Sequence, residues 1–133
     1  MVCRTVVGLG PCDDPPVATT VLIVDDHPSF RAIARAVLAD GGCVVVGEAA
    51  DALSAIVAVR RLHPDCVLLD VQLGDADGFA VADALSTDGD GPTVVLTSGR
   101  EPRELEPLVR ESGARGFIAK EKLSPSALGA LLR

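Results

Sequence analysis

The chain has no tryptophan and no tyrosine, and aromatic residues make up only 2% of it. A core built on stacked rings is excluded, so the 48% of apolar residues must form one from Val, Leu, Ile and Ala. Such a core suits a parallel sheet buried on both faces. Lysine is nearly absent as well: only Lys120 and Lys122 occur, and the other cations are arginines, a composition that fits a GC-rich bacterial genome. The formal charge of −7 would repel nucleic acid and anionic lipid, so direct DNA binding by this domain is not expected. No apolar run reaches membrane-spanning length. The stretch from Met1 to Gly10 lacks the basic start and long apolar region of a secretory leader, and a cytoplasmic protein is expected. Cys3, Cys12, Cys43 and Cys66 show neither CxxC nor zinc-finger spacing. Cys43 and Cys66 lie in apolar runs and read as small core residues.

The length of 133 residues fits one domain. Residues 1–19 differ from the rest. Gly8, Gly10, Pro11, Pro15 and Pro16 interrupt any regular element there, which predicts an irregular tail ahead of a domain at 20–133. From residue 20 onward, short apolar runs recur at 21–25, 43–47, 66–70, 93–97 and 115–119, each of strand length. Helices fit between them. The first opens at Pro28 and places Phe30, Ile33, Ala34 and Val37 on one face. The second runs from an Asp51 cap to Leu62, and the third spans roughly Phe79–Leu85. The fourth lies between Glu101 and Ser112. It contains Pro102 and Pro107, so it is expected to start late, near 104–106, and to be short. The last has Ser124 as its cap and Pro125 at its first position, with Leu128, Leu131 and Leu132 facing inward. Five β/α units in a row define a doubly wound α/β fold, a parallel sheet with helices on both faces.

Ligand sites in such sheets lie beyond the C-terminal ends of the strands. The first strand ends in Asp25-Asp26 and the third in Asp70. The fourth ends in Thr97-Ser98 and the fifth in Lys120. Three converging carboxylates repel one another, and a divalent cation would relieve them. A few oxygen ligands completed by water suit Mg²⁺. A cation beside a carboxylate nucleophile, a hydroxyl and a lysine makes a coherent phosphoryl-transfer site. Taken singly, Asp25-Asp26 could cap a helix, Asp70 could be a turn residue, Lys120 a surface lysine and Phe117 plain core. His27 reads as a loop residue at the rim of the site. Gly74–Gly78 has neither Walker nor EF-hand spacing.

The four segments VLIVDDHPSFR, PDCVLLDVQLGDADG, VVLTSG and GARGFIAK, in this order, resemble the receiver domain of bacterial two-component response regulators over about residues 20–133. The resemblance implies a flavodoxin-like sheet with strand order 2-1-3-4-5. It implies that Asp70 accepts a phosphoryl group and that Mg²⁺ is held by Asp25, Asp26, Asp70 and the backbone carbonyl of Gln72. Lys120 then pairs with the phosphoryl group, Thr97 reorients toward it, and Phe117 swings inward. Gln72 and Gly99 flank the path of hydrolytic water and should tune the phosphoryl lifetime. The implied partners are a sensor histidine kinase or phosphotransfer protein and a downstream protein, with a homodimer left open. No turnover of a separate substrate is implied. Two positions depart from the family pattern. Gly74 replaces a common proline, implying a looser loop, and Glu121 replaces the proline that often follows the lysine. The segment KEKLSPSAL is similar to receivers of LuxR-type regulators, although no helix-turn-helix domain follows within the sequence, which leaves open a stand-alone receiver or a part of a longer protein. The other reading is an interaction module that keeps the fold and does not use phosphate.

Overall fold

A computed structural model of the chain describes residues 19–74, 76–86, 91–99 and 102–132. The expected tail at 1–19 lies outside them apart from Thr19, as do Cys3 and Cys12. Five strands, β1 (Thr20–Val24), β2 (Val44–Ala49), β3 (Cys66–Asp70), β4 (Thr93–Ser98) and β5 (Gly116–Ala119), form one parallel sheet. Its order is β2-β1-β3-β4-β5, the doubly wound arrangement anticipated from sequence. Five helices alternate with the strands: α1 (Pro28–Asp40), α2 (Ala52–Leu62), α3 (Gly78–Ser86), α4 (Pro102–Glu111) and α5 (Pro125–Leu132). A small antiparallel ribbon, Gln72–Leu73 against Ala76–Asp77, follows β3 and has no counterpart in the sequence reading. The register between β1 and β2 skips one residue after Val21, which leaves Val46 as a bulge.

Local chemistry sets the element ends. Asp51 Oδ1 accepts the Ser54 amide at 2.8 Å and caps α2. His63 ends that helix in a left-handed conformation, φ 47°. Ser124 Oγ accepts the Ala127 amide at 3.0 Å ahead of α5. Pro28 and Pro125 occupy first helical positions, where a missing N–H costs nothing.

The sheet divides the core in two. Leu22, Val24, Val67, Leu69, Val94 and Leu96 face α2, α3 and α4, meeting Ala55, Leu85 and Leu105. Val21, Ile23, Cys66, Leu68, Val95 and Ile118 face α1 and α5, meeting Phe30, Leu38 and Leu128. Each fully buried aliphatic side chain contributes about 1.5–3 kcal/mol relative to exposure. Cys66 is buried and Cys43 half-buried, in keeping with small core residues.

Two helix expectations are corrected. Ile33 is 58% exposed, and the buried stripe of α1 is Phe30, Ala34 and Leu38. The four-residue spacing keeps those side chains over the sheet, whereas Ile33 is rotated to the rim. Helix α4 starts at Pro102, not near 104–106, and carries Pro107 within it. A proline at the first position is harmless, and burial of Leu105 with support from Val109 holds the turn that Pro107 weakens.

Candidate functional site

Strand alternation places the polar strand ends on one face. Asp25 follows Val21 and Ile23, and Asp70 follows Cys66 and Leu68. Thr97 follows Val95, and Lys120 follows Ile118. All continue the rows that face α1 and α5. Beyond the C-terminal edge of the sheet, Asp26, His27, Asp70, Gln72, Gly74, Ser98, Gly99 and Lys120 line a cleft of about 340 Å³.

Asp25 and Asp70 are both buried. Lys120 Nζ lies 2.7 Å from Asp25 Oδ2 and 3.2 Å from Asp70 Oδ2, and stacks 4.6 Å from the centre of the Phe30 ring. Asp70 Oδ1 accepts the Gln72 amide at 3.1 Å. Burial pushes the Asp70 carboxyl above its ordinary range; the Gln72 amide opposes this, the Asp25 charge adds to it, and Lys120 opposes it. Burial pulls Lys120 down, but its contacts to Asp25 and Asp70 outweigh that and raise it.

The backbone around the cleft is held closely. Asp25 receives Arg31 on its carbonyl at 2.7 Å, and Arg31 Nε also meets Glu48 at 3.0 Å. Val71 N–H donates to Thr97 O at 2.9 Å, tying β3 to β4 one residue beyond Asp70. A Cβ at Gly78 would fall 2.3 Å from the Asp70 carbonyl oxygen and 2.6 Å from Val71 Cα, so only glycine fits there.

The residues fit a hard divalent cation. Asp25, Asp26, His27 and Asp70 each offer a ligand atom, and these atoms lie within 4.8 Å of one another. Asp25 Oδ2 and Asp26 Oδ1 are buried without a hydrogen bond of adequate geometry. The Lys120 ammonium stands 2.7 Å from the first, and His27 Nδ1 3.0 Å from the second. One ammonium against three carboxylates leaves net negative charge in the cleft, which a divalent cation would offset.

Thr97 is buried and paired in register with Asp70 but does not line the cleft; Ser98, its neighbour, does. Phe117 is half-buried on the opposite face, against the α2–α4 core. Gly99 is exposed at the cleft wall. Sequence reasoning missed three contributors. His27 sits at the rim, as expected, but its Nδ1 also reaches three carboxylates. Ser98 was overshadowed by Thr97. Gly74 donates its amide to Asp26 Oδ2 at 3.0 Å with φ +55°, neither of which proline could provide, so the loop is tied at this point rather than loosened.

A five-stranded doubly wound sheet with an acidic triad and a lysine at its C-terminal edge defines a receiver. The family profile described as response regulator receiver domain matches residues 21–133, and the chain belongs to that family, part of two-component signal transduction. The transcriptional regulatory protein NarL of Mycobacterium tuberculosis is 32% identical over 118 residues, which are 88% of this chain and 55% of that protein. Protein CcdB of Bacillus subtilis is 32% identical over 116 residues, 86% of this chain and 96% of CcdB. The solved receiver domain of M. tuberculosis NarL superposes with a TM-score of 0.72 at 30% identity, covering 86% of this chain and 96% of that one. The chain thus spans about half the length of the transcriptional regulators it matches and nearly all of CcdB. Among the described residues, no helix is long and apolar enough to cross a membrane.

Proposed function

We propose that this receiver acts in the cytoplasm and takes a phosphoryl group on Asp70 from the phosphohistidine of a sensor histidine kinase or phosphotransfer protein. A carboxylate oxygen of Asp70 forms the new P–O bond as the P–N bond breaks, and the imidazole leaves with the electron pair. The observation that carries this reading is the convergence of the Asp25, Asp26 and Asp70 carboxylates, with ligand atoms within 4.8 Å of one another and Lys120 set against two of them. Asp25, Asp26, Asp70 and the Gln72 carbonyl would hold Mg²⁺, which supplies charge neutralisation for the transferring group. Lys120 already touches the Asp70 carboxylate and provides a second positive charge for the phosphoryl oxygens. The Gln72 amide fixes the rotamer of Asp70.

The adduct adds charge at the edge of the sheet, drawing Lys120 off Asp25 and the Thr97 hydroxyl toward the phosphoryl oxygens. Phe117 follows by moving inward, and the surface at 97–123 shifts between two populations that a downstream protein or a second copy distinguishes. Gln72 and Gly99 at the cleft wall set water access to the acyl phosphate, and so its lifetime. The protein phosphorylates and dephosphorylates itself and turns over no separate substrate.

The test is incubation with acetyl phosphate with and without Mg²⁺, read by intact mass, with Asp70→Asn as control. A Mg²⁺-dependent adduct lost in Asp70→Asn is expected. No adduct together with no Mg²⁺ binding in calorimetry would leave the phosphate-independent interaction module instead.

A further inference from the structure

The β2 border of the sheet carries apolar surface that the fold does not use. Strand β2 ends the sheet, so among the described residues no strand lies beyond it. Helix α2 packs beside this border. Its inward face is Ala52, Ala55, Ile56 and Val59, which meet the core. A second stripe, Leu53, Val57 and Arg61, recurs at four-residue spacing and so lies along one side of the helix. With Val46 and Gly47 of β2 it lines a groove of about 640 Å³. Leu53 is 74% exposed and Val57 47%. We propose that this groove is an interface between two copies of the chain, related by a two-fold axis through Val57 with the two α2 helices antiparallel.

The arrangement of the stripe identifies the occupant. A two-fold interface must be complementary to itself. Positions 53 and 61 are equidistant from 57. The axis therefore sets Val57 against Val57 of the second copy, and Leu53 against the aliphatic stem of its Arg61. Asp51 stands at the head of α2 beyond Leu53, and Arg61 lies in the last turn, about 15 Å away along the helix. Asp51 holds the Ser54 amide at 2.8 Å but is exposed and forms no ion pair among the described residues; Arg61 forms none either. Antiparallel docking brings the Arg61 guanidinium of each copy to the Asp51 carboxylate of the other. Parallel docking would set acid on acid and base on base. The charges thus select the antiparallel pair.

An extended peptide added to the edge of β2 is the competing occupant. The bulge at Val46 interrupts the regular ladder of that strand, a device that discourages strand addition. A helix-mediated contact does not need the ladder. One helix stripe and one strand border make a small interface, below about 1,200 Å², so the pair should form and separate with concentration. It lies at the opposite border of the sheet from β5, away from the surface at 97–123, and requires no phosphoryl group.

The experiment is sedimentation velocity of the full chain over a range of concentrations, without phosphoryl donor or Mg²⁺. The expected result is a reversible monomer–dimer equilibrium. Val57→Glu places like charges on the axis, and Arg61→Asp sets acid against Asp51; each should weaken association by about tenfold or more. Asp51→Lys should do the same. Mixing the Arg61→Asp and Asp51→Lys chains restores opposite charges at both ends, so the mixture should dimerise where neither chain does alone. That recovery separates a lost contact from a lost fold. A dimer unchanged by Val57→Glu and Arg61→Asp uses another face and overturns the proposal. A mixture that stays monomeric overturns the antiparallel register. A parent chain that stays monomeric up to about 1 mM overturns the pairing and leaves the groove to a partner of another sequence.

Discussion

Lys120 lies closer to Asp25 than to Asp70, 2.7 Å against 3.2 Å. Before phosphorylation its ammonium is thus chiefly the counter-ion of the first strand's carboxylate. Replacing it as Lys120→Met would leave two buried carboxylates facing each other. Removing one partner of a buried pair costs about 3 kcal/mol, and the partial exposure of Lys120 reduces this to about 2 kcal/mol. In Mg²⁺-free buffer the melting temperature of the variant should fall. Saturating Mg²⁺ should restore most of the difference, because the ion takes over the neutralisation. Equal Mg²⁺ shifts in both proteins would show that Lys120 and the metal do not share this task.

The Gly74 amide fixes one oxygen of Asp26 and leaves the other, Oδ1, turned into the cluster. Introducing the proline found in many receivers, Gly74→Pro, removes that donor and demands a φ of opposite sign. The variant should lose about 1–3 kcal/mol of stability and bind Mg²⁺ more weakly by calorimetry. Gly74→Ala keeps the amide and should cost only about 1 kcal/mol, the penalty for a left-handed non-glycine residue, with Mg²⁺ affinity closer to that of the parent. A proline variant as stable as the parent would dispose of this account.

Cys66 provides a pH-dependent contribution remote from the cleft. Burial pushes its thiol from 9.0 up to about 12, with smaller effects from Cys43 and Asp65. The folded state thus holds the proton more tightly than the unfolded chain. The contribution is fully present below the unfolded value and is lost as pH rises from about 9 toward 12. Urea unfolding of the parent and of Cys66→Ala at pH 8 and pH 10 isolates the effect. The stability gap between them should shrink by about 1 kcal/mol at the higher pH. A constant gap would mean that the thiol titrates equally in both states.

The sheet was legible because its strands are buried end to end. Val21–Val24 and Cys66–Leu69 are apolar without interruption, and each such run ends in the polar residues that line the cleft. The helices were legible in number but not in detail. From Phe30, a step of three leads to Ile33 and a step of four to Ala34, and both fit a helical period. Only the position of the sheet decides between them. Pro102 and Pro107 argued against an early start for α4, but burial of Leu105 outweighs the hydrogen bond that Pro107 cannot make. The backbone contributions were not legible at all. The amides of Gly74 and Gln72, and the Val71 amide on Thr97 O, depend on chain path and leave no side-chain signature.

The two separate apolar cores make the sheet a partition. The acidic cluster and Lys120 continue the rows on one side of it, with α1 and α5, while Leu105 of α4 and Phe117 belong to the other. Among the described residues, a charge added at Asp70 therefore lies across the sheet from Leu105 of α4. At the C-terminal rim the Val71 amide on Thr97 O joins the neighbouring strands and links the two sides. That rim is a doorway between two rooms, and the stiffness of a few residues there sets how much of an event on one side is felt on the other.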